Sequence, residues 1–216
     1  FQLDASSDSL VLENDPDLKI YREMGILFSD SDFLIVTLRP NEGIFNNESL
    51  RRIEKIENEI LEIDGVNQVL SILDAPIVEQ PKVALSEIGD NIKYLLDESI
   101  DLQKAKQEIL SNPIYQELIV SRDGSTTAFQ ILLEKNESYE SLIQQRYDLL
   151  NSNKPSILLE VNRKINEQNS LIQEKEKRIV AEIRSVINNN RDFGVLFLGG
   201  PAMIANDMID LSLIHI

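Results

Sequence analysis

The side chains able to do chemistry are few in type and poorly placed for it. The chain has one histidine, His215, next to its last residue, and no cysteine. A His-based triad or a multi-His metal site needs a base held inside a packed site, so His215 is expected to have no catalytic role. Without cysteine there is no thiol nucleophile, Cys-zinc site or disulfide framework. Gly199-Gly200-Pro201 lacks the spacing and the following Lys of a phosphate cradle, and reads as a tight strand-to-helix turn.

Carboxylates are plentiful, and a pair of them could in principle run acid–base hydrolysis. Glu54, Glu57, Glu59 and Glu62, however, fall mostly on the polar side of an amphipathic helix, where a solvated face is expected. Glu13, Asp15 and Asp17 lack the order and the distal Glu of a calcium loop, and helix capping accounts for Asp15. Tyr21, Phe28, Phe33, Phe45, Phe129 and Phe197 are dispersed over several elements and are expected in the core rather than in a ligand cage. Any cargo groove would draw on them or on residues 74–113. No catalytic, cofactor-binding or metal site is assigned, and the chain is expected to catalyse no covalent chemistry.

Composition narrows the partners. The net charge is −16, from 37 acidic against 21 basic residues in 216. That balance repels phosphate backbones, so no nucleic acid is expected, and it argues against adhesion to anionic lipid through a basic patch. No stretch approaches the roughly 18–20 apolar residues that cross a bilayer. The opening FQLDASSD has neither an initiator Met nor the basic-then-apolar order of a signal peptide, which reads as a fragment of a longer chain.

The elements follow from periodicity. Asp15-Pro16 starts a short helix carrying Leu18, Tyr21, Gly25 and Phe28. SDFLIVTLRP reads as a strand that expects cover on both faces. A helix follows from about Glu48 to Ile63, with Leu50, Ile53, Ile56, Ile60 and Ile63 on one side. Asp64-Gly65 ends it, and VNQVLSIL forms a second strand. Residues 74–113 read as a helical insertion interrupted at Pro76 and Pro81. Ile88, Ile92, Leu95 and Leu96 form one helix face there, and a second helix runs from about Asp101 to Leu110. ELIVSRDGSTTAFQILLE reads as a hairpin turning at Asp123-Gly124, with Phe129, Ile131 and Leu133 on one face.

Residues 138–190 read as a helical hairpin broken at 151–155. Tyr139, Ile143, Tyr147 and Leu150 face a second helix in which Leu158, Ile165, Ile172, Ile179 and Val186 recur every seven residues. The companion positions Gln168, Lys175 and Glu182 are polar, so its middle, Gln168 to Lys177, is expected to be solvent-exposed in the monomer or packed only on another copy. GVLFLGG is a last strand, and PAMIANDMIDLSL opens a helix with Pro201 in its first turn. The expected fold is α+β, a ferredoxin-like split β-α-β sandwich with helical insertions including the long hairpin. One domain is expected over 1–216, with a core of about 15–73, 114–134 and 179–210.

SSDSLVLENDPDLKIYREM, with the strand and the helix ending in DGVNQVLSILDAPI, resembles the region after the first membrane helix of RND-superfamily exporters. The likeness is to the MmpL-like and hopanoid-exporter-like group. VLFLGGPAMIANDMID is similar to the strand-turn-helix leading into their second membrane helix, and NPIYQELIVSRDGSTTAFQILL to their strand-turn-strand. The resemblance implies a periplasmic porter domain of a proton-driven bacterial inner-membrane exporter. Its cargo would be lipids or other hydrophobic or amphiphilic compounds, and its partners the membrane helices and further copies of the pump. The relay acids of that family lie in membrane helices, so no functional residue is carried onto this chain. Membrane attachment at both ends places Asp8 and Asp210 on one side, within roughly 30 Å. The other readings are a free-standing extracytoplasmic module that docks a partner through its helical hairpin, and a carboxylate-dependent hydrolase.

Overall fold

The computed structural model describes residues 33–80, 92–150 and 154–201, with 203, 204, 207 and 208. The expected helix at 15–28, the acids Glu13, Asp15 and Asp17, residues Ile88 and His215, and the Asp8–Asp210 separation lie outside them. In chain order the elements are β1 (Phe33–Pro40), α1 (Asn47–Leu61), β2 (Val66–Leu70), a 3-10 turn (Ile72–Asp74), α2 (Leu102–Ser111), β3 (Thr127–Leu133), α3 (Glu137–Leu150), α4 (Pro155–Asn189) and β4 (Gly194–Gly199). The protein is α+β, with a four-stranded antiparallel sheet and, among the described residues, four helices. None of those helices is long and apolar enough to cross a membrane.

The chain divides into two compact units, and the boundary falls inside α4, between Val180 and Ala181. One unit comprises Phe33–Leu133 and Ala181–Gly200. Its sheet order is β2-β3-β1-β4, and every neighbouring pair is antiparallel. β1 and β2 therefore run the same way with β3 between them. Leu34, Val36 and Leu38 of β1 and Phe129, Ile131 and Leu133 of β3 are buried, as are Leu50, Ile53, Ile56 and Ile60 of α1. α1 starts where Asn46 accepts the Ser49 N–H at 2.8 Å, which satisfies one of the unpaired amides of the first turn. The break at Gly65, φ +97°, admits the turn into β2. At the other end Gly200, φ +115°, makes the strand-to-helix turn read from the sequence, and a Cβ there would lie 2.9 Å from the Phe33 carbonyl oxygen. Pro201, Met203, Ile204, Asp207 and Met208 beyond it are helical.

Four local expectations are corrected. The second face of β1 is only partly covered: its residues alternate buried and half-buried, and Arg39 is exposed. β2 stops at Leu70 with an irregularity between Val66 and Gln68. Ser71 then caps the 3-10 turn, accepting the Leu73 N–H while Asp74 accepts the Ser71 N–H. Leu95 and Leu96 are in a turn rather than a helix, because Asp97 accepts the Tyr94 N–H at 2.7 Å and donates its own N–H back to the Tyr94 carbonyl. The hairpin keeps its turn, Gly124 at φ +67°, and the Ser121–Thr126 backbone bond, but its incoming arm is no strand. Residues 112–120 coil on themselves. The Tyr115 carbonyl accepts the N–H groups of Ile119 and Val120, and only these two residues reach β3: the Ala128 N–H donates to the Ile119 carbonyl at 3.0 Å and Val120 bridges Thr127 antiparallel, while the rest of β3 pairs with β1 and β2.

In the other unit, α3 and α4 bracket the expected break at 151–155. Lys175 donates to Glu134 at 2.7 Å and Asn136 donates to Gln168 at 3.4 Å. These pairings retreat along α4 as the chain advances toward α3, the antiparallel sense. Tyr139, Ile143 and Tyr147 are half-buried. Val161, Ile165, Ile179 and Val180 are buried, with no fully buried residue from 166 to 178. The middle is not uniformly exposed as expected: Gln168, Ile172, Gln173 and Lys175 are half-buried, because the 134–136 segment lies against it.

Candidate functional site

The alternation that buries one face of the sheet sends every second side chain the other way. On the outward face the register sets Leu70, Gln130, Ile35 and Gly199 in one row, and Gln68, Leu132 and Phe33 in the next. Ala128, Thr37 and Phe197 make a third row, and Arg39 stands beside Val195. Arg39 is the one ionisable side chain among these. Phe33, Ile35, Leu70 and Leu132 are half-buried, whereas Val195 is 50% and Phe197 67% exposed on the edge strand β4. An exposed apolar patch backed by a rigid sheet can take an apolar ligand or surface without any covalent chemistry.

The aromatic residues separate accordingly. Phe129 is fully buried, as expected; Phe33 and Phe45 are half-buried; Tyr21 and Phe28 lie outside the described residues. Phe197 is corrected from core to surface. Its parity in β4 is opposite to that of the buried Leu196, and its partner across the ladder is the outward Thr37. Phe193, unassigned in the sequence reading, is buried beneath Arg52, whose guanidinium is 4.8 Å from the ring centre while it bonds Asp192 at 2.8 Å. Arg52 therefore draws the Asp192 carboxyl below its usual value, chiefly through the hydrogen bond.

The α1 acids are not all solvated. Glu54 and Glu62 are exposed, but Glu57 and Glu59 are half-buried and bonded to other elements. Glu59 accepts from the Asn190 side chain at 2.9 Å, and Glu57 accepts the Ser71 hydroxyl at 2.6 Å. Burial holds the Glu57 carboxyl above its ordinary value; the Ser71 bond opposes this, and the charges of Asp74 and Glu54 add to it. Glu57, Ser71 and Asp74 thus bring two carboxylates to one serine. The serine proton goes to Glu57, its oxygen accepts the Leu73 N–H, and Asp74 accepts the Ser71 N–H. Each group is engaged in joining α1 to the end of β2.

The Asp123 carboxyl is brought to about 2, first by the Ser121 hydroxyl and then by the N–H and hydroxyl of Ser125. It is an exposed turn stabiliser. A depression along α2 is lined by Gln103, Lys106, Gln107, Leu110 and Ser111, a mostly polar set from a single helix. Among the described residues no group of three or more Asp, Glu or His side chains gathers as a metal site. The outward sheet face is not legible in sequence because the continuous apolar runs of β1 and β4 hide which parity faces inward. No protein-family model matches the chain, and no curated protein is similar enough to it to count as a relative.

Proposed function

We propose that the chain is the extracytoplasmic cargo-handling part of a proton-driven exporter of the RND type, acting on lipids or other amphiphiles. The outward sheet face carries the reading: Phe33, Ile35, Leu132, Val195 and Phe197 form an apolar surface in a chain of net charge −16. Two further features support it. The resemblance covers segments at both ends of the chain in the right order. The strand order β2-β3-β1-β4, with α1 joining β1 to β2 and helices joining β3 to β4, agrees with a ferredoxin-like split β-α-β plan. In this reading α3 and α4 are the helical hairpin, and the membrane helices and further copies of the protein are the partners.

The experiment is proton-driven efflux of a fluorescent amphiphile from membrane vesicles carrying the protein in its natural reading frame. Phe197→Asp places a charge on the cargo face without touching the buried one. Transport should fall about tenfold at unchanged protein level, as expected when an apolar contact worth about 1–3 kcal/mol is replaced by a charge. Undiminished transport, or no transport by the unaltered protein, would remove this reading. A second reading, a module that docks a partner protein through the helical hairpin, is favoured by Leu159 at 75% and Leu171 at 59% exposure on α4. It requires partner capture that is lost with Leu159→Gln and Leu171→Gln while Phe197→Asp has no effect.

A further inference from the structure

The sheet has two edge strands, β2 and β4, and they differ in how they would meet a further strand. β2 carries the exposed polar residues Asn67 and Gln68, and an irregularity between Val66 and Gln68 interrupts its ladder. Polar residues and bulges of this kind blunt an edge. β4 has neither: Gly194–Gly199 reads GVLFLG, without charge, proline or any shift in its register on β1. The Asn41 N–H donates to the Phe193 carbonyl, which sets the phase of that ladder. Bonded and non-bonded pairs alternate in an antiparallel ladder, so Val195, Phe197 and Gly199 bond to Arg39, Thr37 and Ile35. Pro40, which has no N–H, stands opposite Gly194 at a non-bonded position. The N–H and C=O groups of Gly194, Leu196 and Leu198 therefore point away from β1. None of these groups has a hydrogen-bond partner among the described residues.

We propose that β4 is a self-association edge: two copies of the chain pair β4 with β4 antiparallel and join their four-stranded sheets into one. The outward-pointing backbone groups fix the register. Leu196 meets Leu196 of the second copy on the two-fold axis, and Gly194 meets Leu198 of the second copy on either side of it. Each of these pairs exchanges N–H and C=O in both directions. Val195 then stands beside Phe197 of the second copy on the outward face, twice over. That contact covers the two most exposed apolar side chains of the sheet, at 50% and 67%. Charge favours a copy in this sense. Arg191 and Asp192 precede β4, and the uncharged Gly200-Pro201 follows it. The antiparallel register sets Arg191 and Asp192 beside Pro201 and Gly200 of the second copy, whereas a parallel one would set Asp192 against Asp192. A strand that fits this edge must be uncharged, equally short and apolar on the outward face, and β4 itself is such a strand with its edge open. The outward apolar faces of the two copies become one continuous surface and are not buried on each other. The inference rests on the β4 edge alone and is independent of the exporter reading.

The test is sedimentation of the intact chain between about 1 µM and about 1 mM, where so short a strand pair should give half dimer near about 0.1 mM. Phe197→Lys faces the neutral Thr37 on β1 and puts an ammonium beside Val195 of the second copy, so it should weaken dimerisation about tenfold. The register is read by disulfide trapping, since the chain has no cysteine of its own. Val195→Cys mixed with Phe197→Cys should give the mixed disulfide under mild oxidation, because directly opposed residues lie about 4.5–5.5 Å apart, within disulfide reach. Either variant alone sets its two thiols on a diagonal of about 7–8 Å and should link about tenfold more slowly. A chain that stays monomeric at about 1 mM refutes the proposal, as does a dimer indifferent to Phe197→Lys. Phe197→Cys linking to itself faster than to Val195→Cys would mean that the copies meet by another contact, such as stacked outward faces, and would refute it too.

Discussion

The two halves of α4 belong to different units and are held in different ways. From Ala181 onward the helix buries Ile183 and Ile187, and Asn190 closes it with bonds to Glu59 and to the Val186 carbonyl. From Pro155 to Val180 burial is confined to Val161, Ile165, Ile179 and Val180. In the first turns of that half, exposed i,i+4 pairs stand out, Glu160 with Lys164 and Arg163 with Glu167. Such pairs contribute about 0.3–0.5 kcal/mol each, far less than a buried isoleucine. One unbroken helix is therefore expected to be least stable in its middle, from 166 to 178, where no residue is fully buried.

The sharpest way to break that contrast is to truncate a side chain in each unit. Phe129→Ala, in the fully buried face of the sheet, should cost about 3–5 kcal/mol in urea unfolding. Ile172→Ala, half-buried in the thin stretch of α4, should cost about 1 kcal/mol. Equal costs would erase the distinction between the units. Replacing residues 145–178 by a short Gly-Ser linker should leave the sheet unit unfolding cooperatively, since loop-closure entropy changes slowly with length. A broad, non-cooperative transition would show that the helices belong to the sheet core.

Smaller effects sharpen the comparison. Arg52→Ala removes both the Asp192 bond and the stacking on Phe193, and should cost about 1 kcal/mol; Arg163→Ala, exposed on α4, should cost about 0.5 kcal/mol or less. Glu57 gives the smallest shift and a sign that differs from most carboxylates. Its folded pKa is raised above 4.5, so the folded state binds this proton more tightly than the unfolded chain. Its contribution to stability therefore rises as pH falls through the raised value toward 4.5. Glu57→Gln should stabilise the protein at neutral pH by about 0.5 kcal/mol or less, and the difference from the unaltered protein should shrink as pH drops to 4.5. Destabilisation at neutral pH would mean that the Ser71 bond outweighs burial.

What could be read in advance was local. The apolar spacing of α1, the start of α2 at about Asp101 and the Gly200-Pro201 turn are each set within a few residues, and each stands where the pattern put it. The departures arise where a distant or side-chain partner outweighs the pattern. Leu95 and Leu96 have helical spacing, but Asp97 captures the Tyr94 amide. The arm 116–120 has strand composition, but it turns back on the Tyr115 carbonyl and meets β3 only at Ile119 and Val120. Glu57 and Glu59 look solvated along the helix, but their partners Ser71 and Asn190 come from other parts of the chain. The candidate site was hidden for a related reason: whether Phe197 faces in or out depends on the register of β4 against β1, which no short window contains.

The central proposal, that the apolar sheet face takes an amphiphile at its exposed β4 edge, can be measured at that residue. The chain contains no tryptophan, so Phe197→Trp introduces a single indole on the outward face with little change in shape. Its emission should be that of a water-exposed indole in the free protein and should shift to the blue, saturably, as a long-chain lysolipid is added below its micelle concentration. Emission already blue in the free protein, or unchanged at saturating lipid, would contradict the account.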